Sequence, residues 1–348
     1  MTRFRIAMMH EITADERAVW RKLAGRADPF ESPLLHPEYV EALDAVRNDV
    51  RIGLVEKNEK LIGLLPFHLS EKNRGAPTGG EVSDLHAFLT TGASTDFRDW
   101  IRGFGLKRFD FDHLVGQVPD RYVFRRDPWF RINLTEGFSP YVGDLGQSSN
   151  ILSQARRNRR RLEKSFGRVQ LTWDSYDPEI LDSLKLWKSD ELDARGYSNP
   201  FRLPWVHGLI TGLMKEASKH CHGLLSCMHA GEEVISIHFG IANRKTLVSW
   251  LPCINPVFAR YSPGNLLLLE LAREASNRDL KMIDLGRGEN QTKLRLANDV
   301  STMAIGSVCS SPLNFGLLKM KHLMRRCGSR LIRSKMFNRN AQRKFNVK

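Results

Sequence analysis

Nowhere in its 348 residues does the chain approach the roughly 20 consecutive apolar residues that a bilayer-crossing helix needs. The first eleven residues, with Arg3, Arg5, His10 and Glu11, lack the apolar core of a secretory signal. The five cysteines, Cys221, Cys227, Cys253, Cys309 and Cys327, stand at no paired spacing. That excludes a zinc ribbon and a disulfide scaffold, and fits reduced thiols in a cytoplasm. There is no RNP-type aromatic strand, no helix-turn-helix signature, no sustained heptad and no short-period repeat. Acidic residues are missing altogether after Asp299.

That last absence explains the net charge of +14. The final 33 residues, from Gly316, carry eleven Lys or Arg, which leaves +3 for everything before them. The basicity belongs to a tail, so it does not mark the body as a nucleic-acid binder. Hydrophobic residues make up 41% and charged residues 26%. This is ordinary globular composition, sufficient for about two domains.

Helical apolar spacing covers residues 16–26 and then 37–46, the second opening on Pro37. Residues 50–55 and 60–67 are expected to form a β-hairpin turning through Lys57-Asn58-Glu59, with a charged loop over 71–80 and a short strand over 109–114. Composition turns to Gly, Ser and Asn over 144–150, where a domain boundary is expected. The strongly basic helix ILSQARRNRRRLEKSFG follows, ending at Gly167. Beyond it the pattern predicts a strand at 169–173, helices at 178–195 and 203–218, and a three-strand antiparallel meander over 223–230, 233–242 and 245–252. A helix at 262–277, a strand at 281–285, a short helix at 291–298 and a strand at 301–309 complete the pattern. A meander followed by a β-α-β unit makes a mixed sheet with helices packed on it, an α/β (α+β) chain.

Three segments carry candidate chemistry. Tyr261-Ser262-Pro263-Gly264-Asn265 opens the helix at 262–277. Ser262 can cap it, Pro263 suits its first position, and Gly264 lets a ligand approach the backbone. Such a helix start either does nothing more or holds an anion such as a pyrophosphate on its free amides. In the basic helix, Arg157, Arg160, Arg161 and Lys164 share one face. That face is either a solvated surface or a binding site for a nucleotide-sugar diphosphate or a lipid-linked pyrophosphate. In the tail, Leu317, Met320, Met324, Cys327 and Leu331 recur at three and four residues among Lys and Arg. This basic amphipathic pattern suits packing on the body, an anionic membrane surface or an anionic nucleotide regulator.

Several motifs in order and spacing resemble the acetyltransferase domain of the CelD/BcsL type, in the FemABX-like branch of the GNAT superfamily, found among bacterial polysaccharide biosynthesis proteins. The matching residues are His238-Phe239-Gly240, Trp250, Tyr261-Ser262-Pro263-Gly264, Asp284-Leu285-Gly286, and Glu289 with Lys293. The stretches Phe30-Glu31-Ser32-Pro33, Ser83-Asp84-Leu85-His86 and Arg156 to Leu162 also match, so the likeness spans roughly residues 30 to 310. It implies tandem GNAT-like folds, each a mixed, mostly antiparallel sheet flanked by helices. The division expected is 1–145 for a degenerate N-terminal domain, 146–315 for the acyl-CoA-binding domain and 316–348 for the tail. It further implies that the strands at 245–252 and 281–285 splay apart around a thioester, with the pyrophosphate over Tyr261 to Asn265 and Trp250 nearby. The usual GNAT phosphate loop, Gln/Arg-x-x-Gly-x-Gly/Ala, is replaced here by Tyr-Ser-Pro-Gly.

The expected donor is therefore acetyl-CoA or another acyl-CoA, without a metal. The acceptor is an amino sugar, a nucleotide sugar or a lipid-linked glycan. Amide formation needs a base and a donor to the carbonyl oxygen. Asp284 and Glu289 are base candidates and Lys293 an oxyanion donor. His238 is either catalytic or a core histidine. The expected location is the cytoplasm, with peripheral contact to the inner face of the plasma membrane. Two other classes remain open: a FemX-like aminoacyl transferase using charged tRNA, and a non-enzymatic nucleic-acid-binding protein.

Overall fold

The computed structural model describes residues 2–27, 31–92, 96–148, 150–216, 218–311, 315, 316, 318 and 320. Phe30 and most of the basic tail, including Leu317, Met324, Cys327 and Leu331, lie outside the described residues.

The first half runs β1 (Thr2–Ala7), α1 (Ala14–Ala27), α2 (Pro37–Asp44), β2 (Val50–Lys57), β3 (Lys60–Ser70), β4 (Arg74–Pro77), β5 (Leu89–Thr90), α3 (Phe97–Gly103), β6 (Arg108–Leu114), β7 (Val123–Asn133) and α4 (Phe138–Ser148). The β2–β3 hairpin turns on Asn58 and Glu59, both at positive φ (50° and 61°), the twist that keeps hairpin strands in register. The second half runs α5 (Ile151–Phe166), β8 (Val169–Thr172), α6 (Pro178–Ala194), α7 (Pro204–Lys215), β9 (His222–Ala230), β10 (Glu233–Ala242), β11 (Thr246–Ile254), α8 (Pro263–Asn277), β12 (Met282–Arg287), α9 (Gln291–Leu296) and β13 (Asp299–Cys309). Gly167, at φ 106°, ends α5. The side chains of Asp177 and Asn290 cap α6 and α9.

The second half matches the order expected from periodicity, including the antiparallel β9–β10–β11 meander. The first half holds elements that the pattern did not predict. The charged stretch over 71–80 contains β4, and β1, β5, α3, β7 and α4 were unforeseen. Strand β7 hides its character behind Arg125, Arg126, Asp127 and Pro128. It is a strand because both of its edges are paired, with β12 on one side and β13 on the other. The Gly- and Ser-rich stretch before α5 is the end of α4, as far as Ser148.

The thirteen strands of the described residues form one mixed sheet, ordered β1-β2-β3-β4-β6-β13-β7-β12-β11-β10-β9-β8, with β5 paired to β3. Strand β13, the last among the described residues, lies between β6 and β7 of the first half. The sheet therefore runs without a break across position 145/146. One apolar core also crosses it, joining Trp20, Leu23 and Tyr39 to Leu209, Ile210 and Phe239. A second core lies under α4, α5 and α8, and a third gathers around Trp100 and Phe109 of the first half together with Ala304 and Val308 of β13. Among the described residues, no helix is long and apolar enough to cross a membrane.

Candidate active site

Strands β11 and β12 pair in parallel only from Thr246–Val248 against Met282–Asp284. Past Val248 strand β11 stays with β10, while β12 turns to β7. Parallel strands that part mid-course leave backbone groups and a gap for a ligand. Here the gap is a cavity of ≈ 760 Å³, lined by Ser249, Pro252, Cys253 and Ile254 of β11, Leu285 of β12, Ser262, Gly264 and Asn265 at the start of α8, and Lys293 of α9. Helix α6 covers it with Trp187, Glu191 and Arg195, and Lys188 pins that helix to β11 by donating to the Pro252 carbonyl at 2.9 Å. The splay and the placement of the α8 start agree with expectation. The contribution of α6 was not foreseen, because a long amphipathic helix carries no site signal of its own.

The start of α8 differs from the expected cap. Ser262 sits in the left-handed region (φ 51°, ψ 52°) and its side chain makes no capping hydrogen bond. The Ser262 side chain thus takes none of the α8 amides, although its carbonyl accepts from the Asn265 amide at 3.1 Å. Asn265 is tied across to α9 by accepting from Thr292 Oγ1 at 3.3 Å. Tyr261 is buried and does not line the cavity among the described residues; Arg260 and Arg161 lie over its ring at 4.8 and 5.2 Å.

Lys293 reaches back along its helix and donates to the Arg287 carbonyl. Burial pulls its ammonium below the ordinary lysine range, against the nearby charges of Asp84 and Asp284. Asp284 is buried behind the cavity wall. Its Oδ1 accepts from Trp129 Nε1 and from the Gly286 amide, both at 2.7 Å. These bonds hold a bulge in β12, where the register against β7 slips between Asp284 and Arg287. The bulge turns on Gly286 at φ 70°, and a Cβ there would stand 2.7 Å from Asp84 Oδ2. The two motifs that matched the family, Asp284-Leu285-Gly286 and Ser83-Asp84-Leu85-His86, thus meet in space. Glu289 is exposed and stands outside the cavity lining. We expect Asp284→Asn to lower the thermal midpoint as well as turnover, because an amide cannot accept from both donors as well as a carboxylate, a loss of about 1–3 kcal/mol. A wild-type melting curve for that variant would contradict the positioning role.

His238 lies inside β10, fully buried, with Nε2 3.0 Å from Ser249 Oγ. Burial lowers its pKa to about 3, so the ring is neutral. It reaches the cavity only through Ser249, a lining residue that sequence reasoning missed because one hydroxyl in an apolar strand gives no signal. Trp250 points to the opposite side, edge-on to Phe239 in the core shared by both halves, and the structure does not bring it to the cavity. Cys253 lines the cavity, but burial pushes its thiol up to about 12, so it is no thiolate nucleophile at neutral pH.

On α5 the exposed side chains of Arg157, Arg160, Arg161 and Lys164, with Ser153 and Arg156, line a separate shallow cavity of ≈ 490 Å³. The structure brings these four predicted cations together, yet not into the cleft between β11 and β12. Their link to it runs through Arg161 over Tyr261 and Phe166 edge-on to the same ring.

A mixed sheet flanked by helices, with two central strands splayed beside a helix start, is a GNAT-like architecture. Residues 149–294 match a family described as an acetyltransferase (GNAT) domain, and they contain α5, the meander, α8, β12 and the cavity. That stretch is 146 of the chain's 348 residues. No curated protein sequence matches the chain. Solved structures similar in fold include FemX, at 9% identity over 90% of this chain and 100% of that one, with a TM-score of 0.55. Another is the C-terminal domain of a candidate lysylphosphatidylglycerol synthetase from Agrobacterium fabrum, at 12% identity over 88% and 95%, TM-score 0.52. A tandem GNAT protein from the clavulanic acid biosynthesis pathway aligns at 8% identity over 90% and 99%, TM-score 0.48.

Proposed function

We propose that the chain transfers an acyl group from a coenzyme A thioester to an amine of an amino sugar or other glycan precursor. The observation that supports it most is the cleft between β11 and β12, whose lining includes both the α8 start, which has no side-chain cap, and the part-buried Lys293. In this reading the α8 amides hold the pyrophosphate, and the thioester runs along β11 towards Lys293. Lys293 donates to the carbonyl oxygen as negative charge builds there. Asp84, part-exposed beside Gly286, attracts the acceptor ammonium and takes its proton, which frees the lone pair for attack; the C–S bond then breaks, and the departing coenzyme A thiolate takes up the proton that the new amide nitrogen sheds. Asp284 fixes the bulge that sets Lys293 and Asp84 on opposite flanks of the acyl carbon.

Titration calorimetry with acetyl-CoA tests the donor site. Gly264→Val is expected to weaken binding about tenfold or more, equivalent to about 1.4 kcal/mol, by crowding the helix start. A methyl at this position meets only Ile254 Cγ2, at 3.4 Å, so Gly264→Ala keeps the fold and most of the affinity. Equal affinity in the Val variant would remove the pyrophosphate from α8.

A second reading replaces coenzyme A by an aminoacyl-tRNA. It is favoured by one observation: among the described residues Arg156, Arg157, Arg160, Arg161 and Lys164 form no ion pair, leaving a row of free cations suited to a polyanion. Charged tRNA that binds while acetyl-CoA does not would decide for it.

A further inference from the structure

Outside the cleft, an unusual group of buried polar atoms lies where the first half meets the end of β12. His86 stands in the loop before β5, and Asp112 and His113 are neighbours on β6. One ligand atom from each, two imidazole nitrogens and a carboxylate oxygen, all lie within 4.8 Å of one another. His113 is fully buried and His86 is 6% exposed. Asp112 Oδ1 lies 2.8 Å from His113 Nδ1 and pairs with it. His86 Nε2 and His113 Nε2 are left buried without a hydrogen-bond partner, which is costly for a polar atom.

We propose that His86, His113 and Asp112 form a binding site for one divalent transition-metal cation of the zinc class. The donor set is two imidazoles and one carboxylate, which suits Zn²⁺, Co²⁺ or Ni²⁺ better than the all-oxygen preference of Mg²⁺ or Ca²⁺. The rings are held before any ion arrives. The His86 amide donates to the His113 carbonyl at 3.0 Å, and the Val115 amide donates to the His86 carbonyl at 2.9 Å, so the loop is stitched to β6 on both sides of the ligand. Arg287 Nη1 donates to Asp112 Oδ2 at 3.1 Å, which orients the carboxylate with Oδ1 towards the imidazole of His113. The other histidine cluster, Glu31, His36 and His220, is the weaker candidate, because Lys245 already neutralises Glu31 at 2.8 Å.

The bound ion would clamp the loop that carries Asp84 against β6, two residues from His86. That effect is structural, so the proposal rests on this cluster's geometry and not on the acyl-transfer reading. The test uses the full chain, tag removed and dialysed against a chelator, then titrated with CoCl₂ and ZnCl₂. One equivalent of Co²⁺ should bind and give visible d–d absorption, Zn²⁺ should displace it, and the thermal midpoint should rise with Zn²⁺. His86→Gln and His113→Gln, checked for native circular dichroism, should each lose about 100-fold in affinity or more. No uptake by the wild-type chain overturns the proposal, whatever the variants do. Undiminished uptake in both variants, or uptake abolished by His36→Gln instead, also overturns it.

Discussion

Replacing Lys293 by Met is expected to lower kcat about 10²–10³-fold, the usual loss when one donor to a developing oxyanion is removed. Acetyl-CoA affinity should change little, since the proposed pyrophosphate contacts are those of α8. Stability should hold or improve, because a buried ammonium is replaced by an apolar chain of similar length. The combination of lost turnover and intact fold separates catalysis from structure. The pH dependence adds a signature. Burial lowers the folded-state pKa of Lys293 below the 10.5 of a free lysine. Turnover that needs the ammonium must therefore fall as pH rises through that lowered value, before a free lysine would titrate. Stability moves the other way. Between the lowered folded value and 10.5 the unfolded chain holds a proton that the folded chain does not, so folding gains as pH rises across that window. Lys293→Arg, whose charge persists, should abolish the alkaline decline. Unchanged kcat in the Met variant would send the search for the oxyanion donor to the α8 amides.

The second large effect is expected at Gly286. Its φ of 70° is left-handed, and an added Cβ would meet the Asp84 carboxylate at 2.7 Å. Gly286→Ala should cost about 1–2 kcal/mol from the backbone alone, read as a lower midpoint in urea. The carboxylate is the mobile end of its side chain, so it swings aside rather than breaking the fold. Turnover should then fall well beyond the stability loss, by an order of magnitude or more if Asp84 is the proton acceptor. In a double-mutant cycle, Asp84→Ala should remove the extra turnover penalty of Gly286→Ala while the backbone cost persists. Strictly additive turnover losses would show that Asp84 and Gly286 act separately.

Periodicity carried the second half of the fold because its strands neighbour each other in sequence as well as in space. The β9–β10–β11 meander and the α8–β12 unit need only short connections, and their apolar runs are uninterrupted. The first half resisted the same reading because β7 owes its strand character to partners more than 150 residues away. Arg131 illustrates the problem. In isolation it marks a surface, but it is 6% exposed, paired to Asp299 at 2.8 Å and stacked over Trp129 at 4.0 Å. In the cleft, the α8 start and Lys293 were legible from the helix-opening residues and the family likeness. Ser262 showed that the right residue type at a cap position need not cap, once the preceding turn forces it to positive φ. Asp112 and His113 were invisible because a strand reading Arg-Phe-Asp-Phe-Asp-His-Leu looks like simple alternation of polar and apolar faces.

The place of β13 bears on how the molecule is made. During synthesis β6 and β7 are complete long before residues 299–309 leave the ribosome, so neither strand finds its shared neighbour until that segment has been made. Two open edges must wait for a distant segment, the arrangement that slows folding and invites intermolecular pairing. A gene cut at codon 145 would therefore yield two fragments with exposed strand edges, each fit to be repaired only by the other.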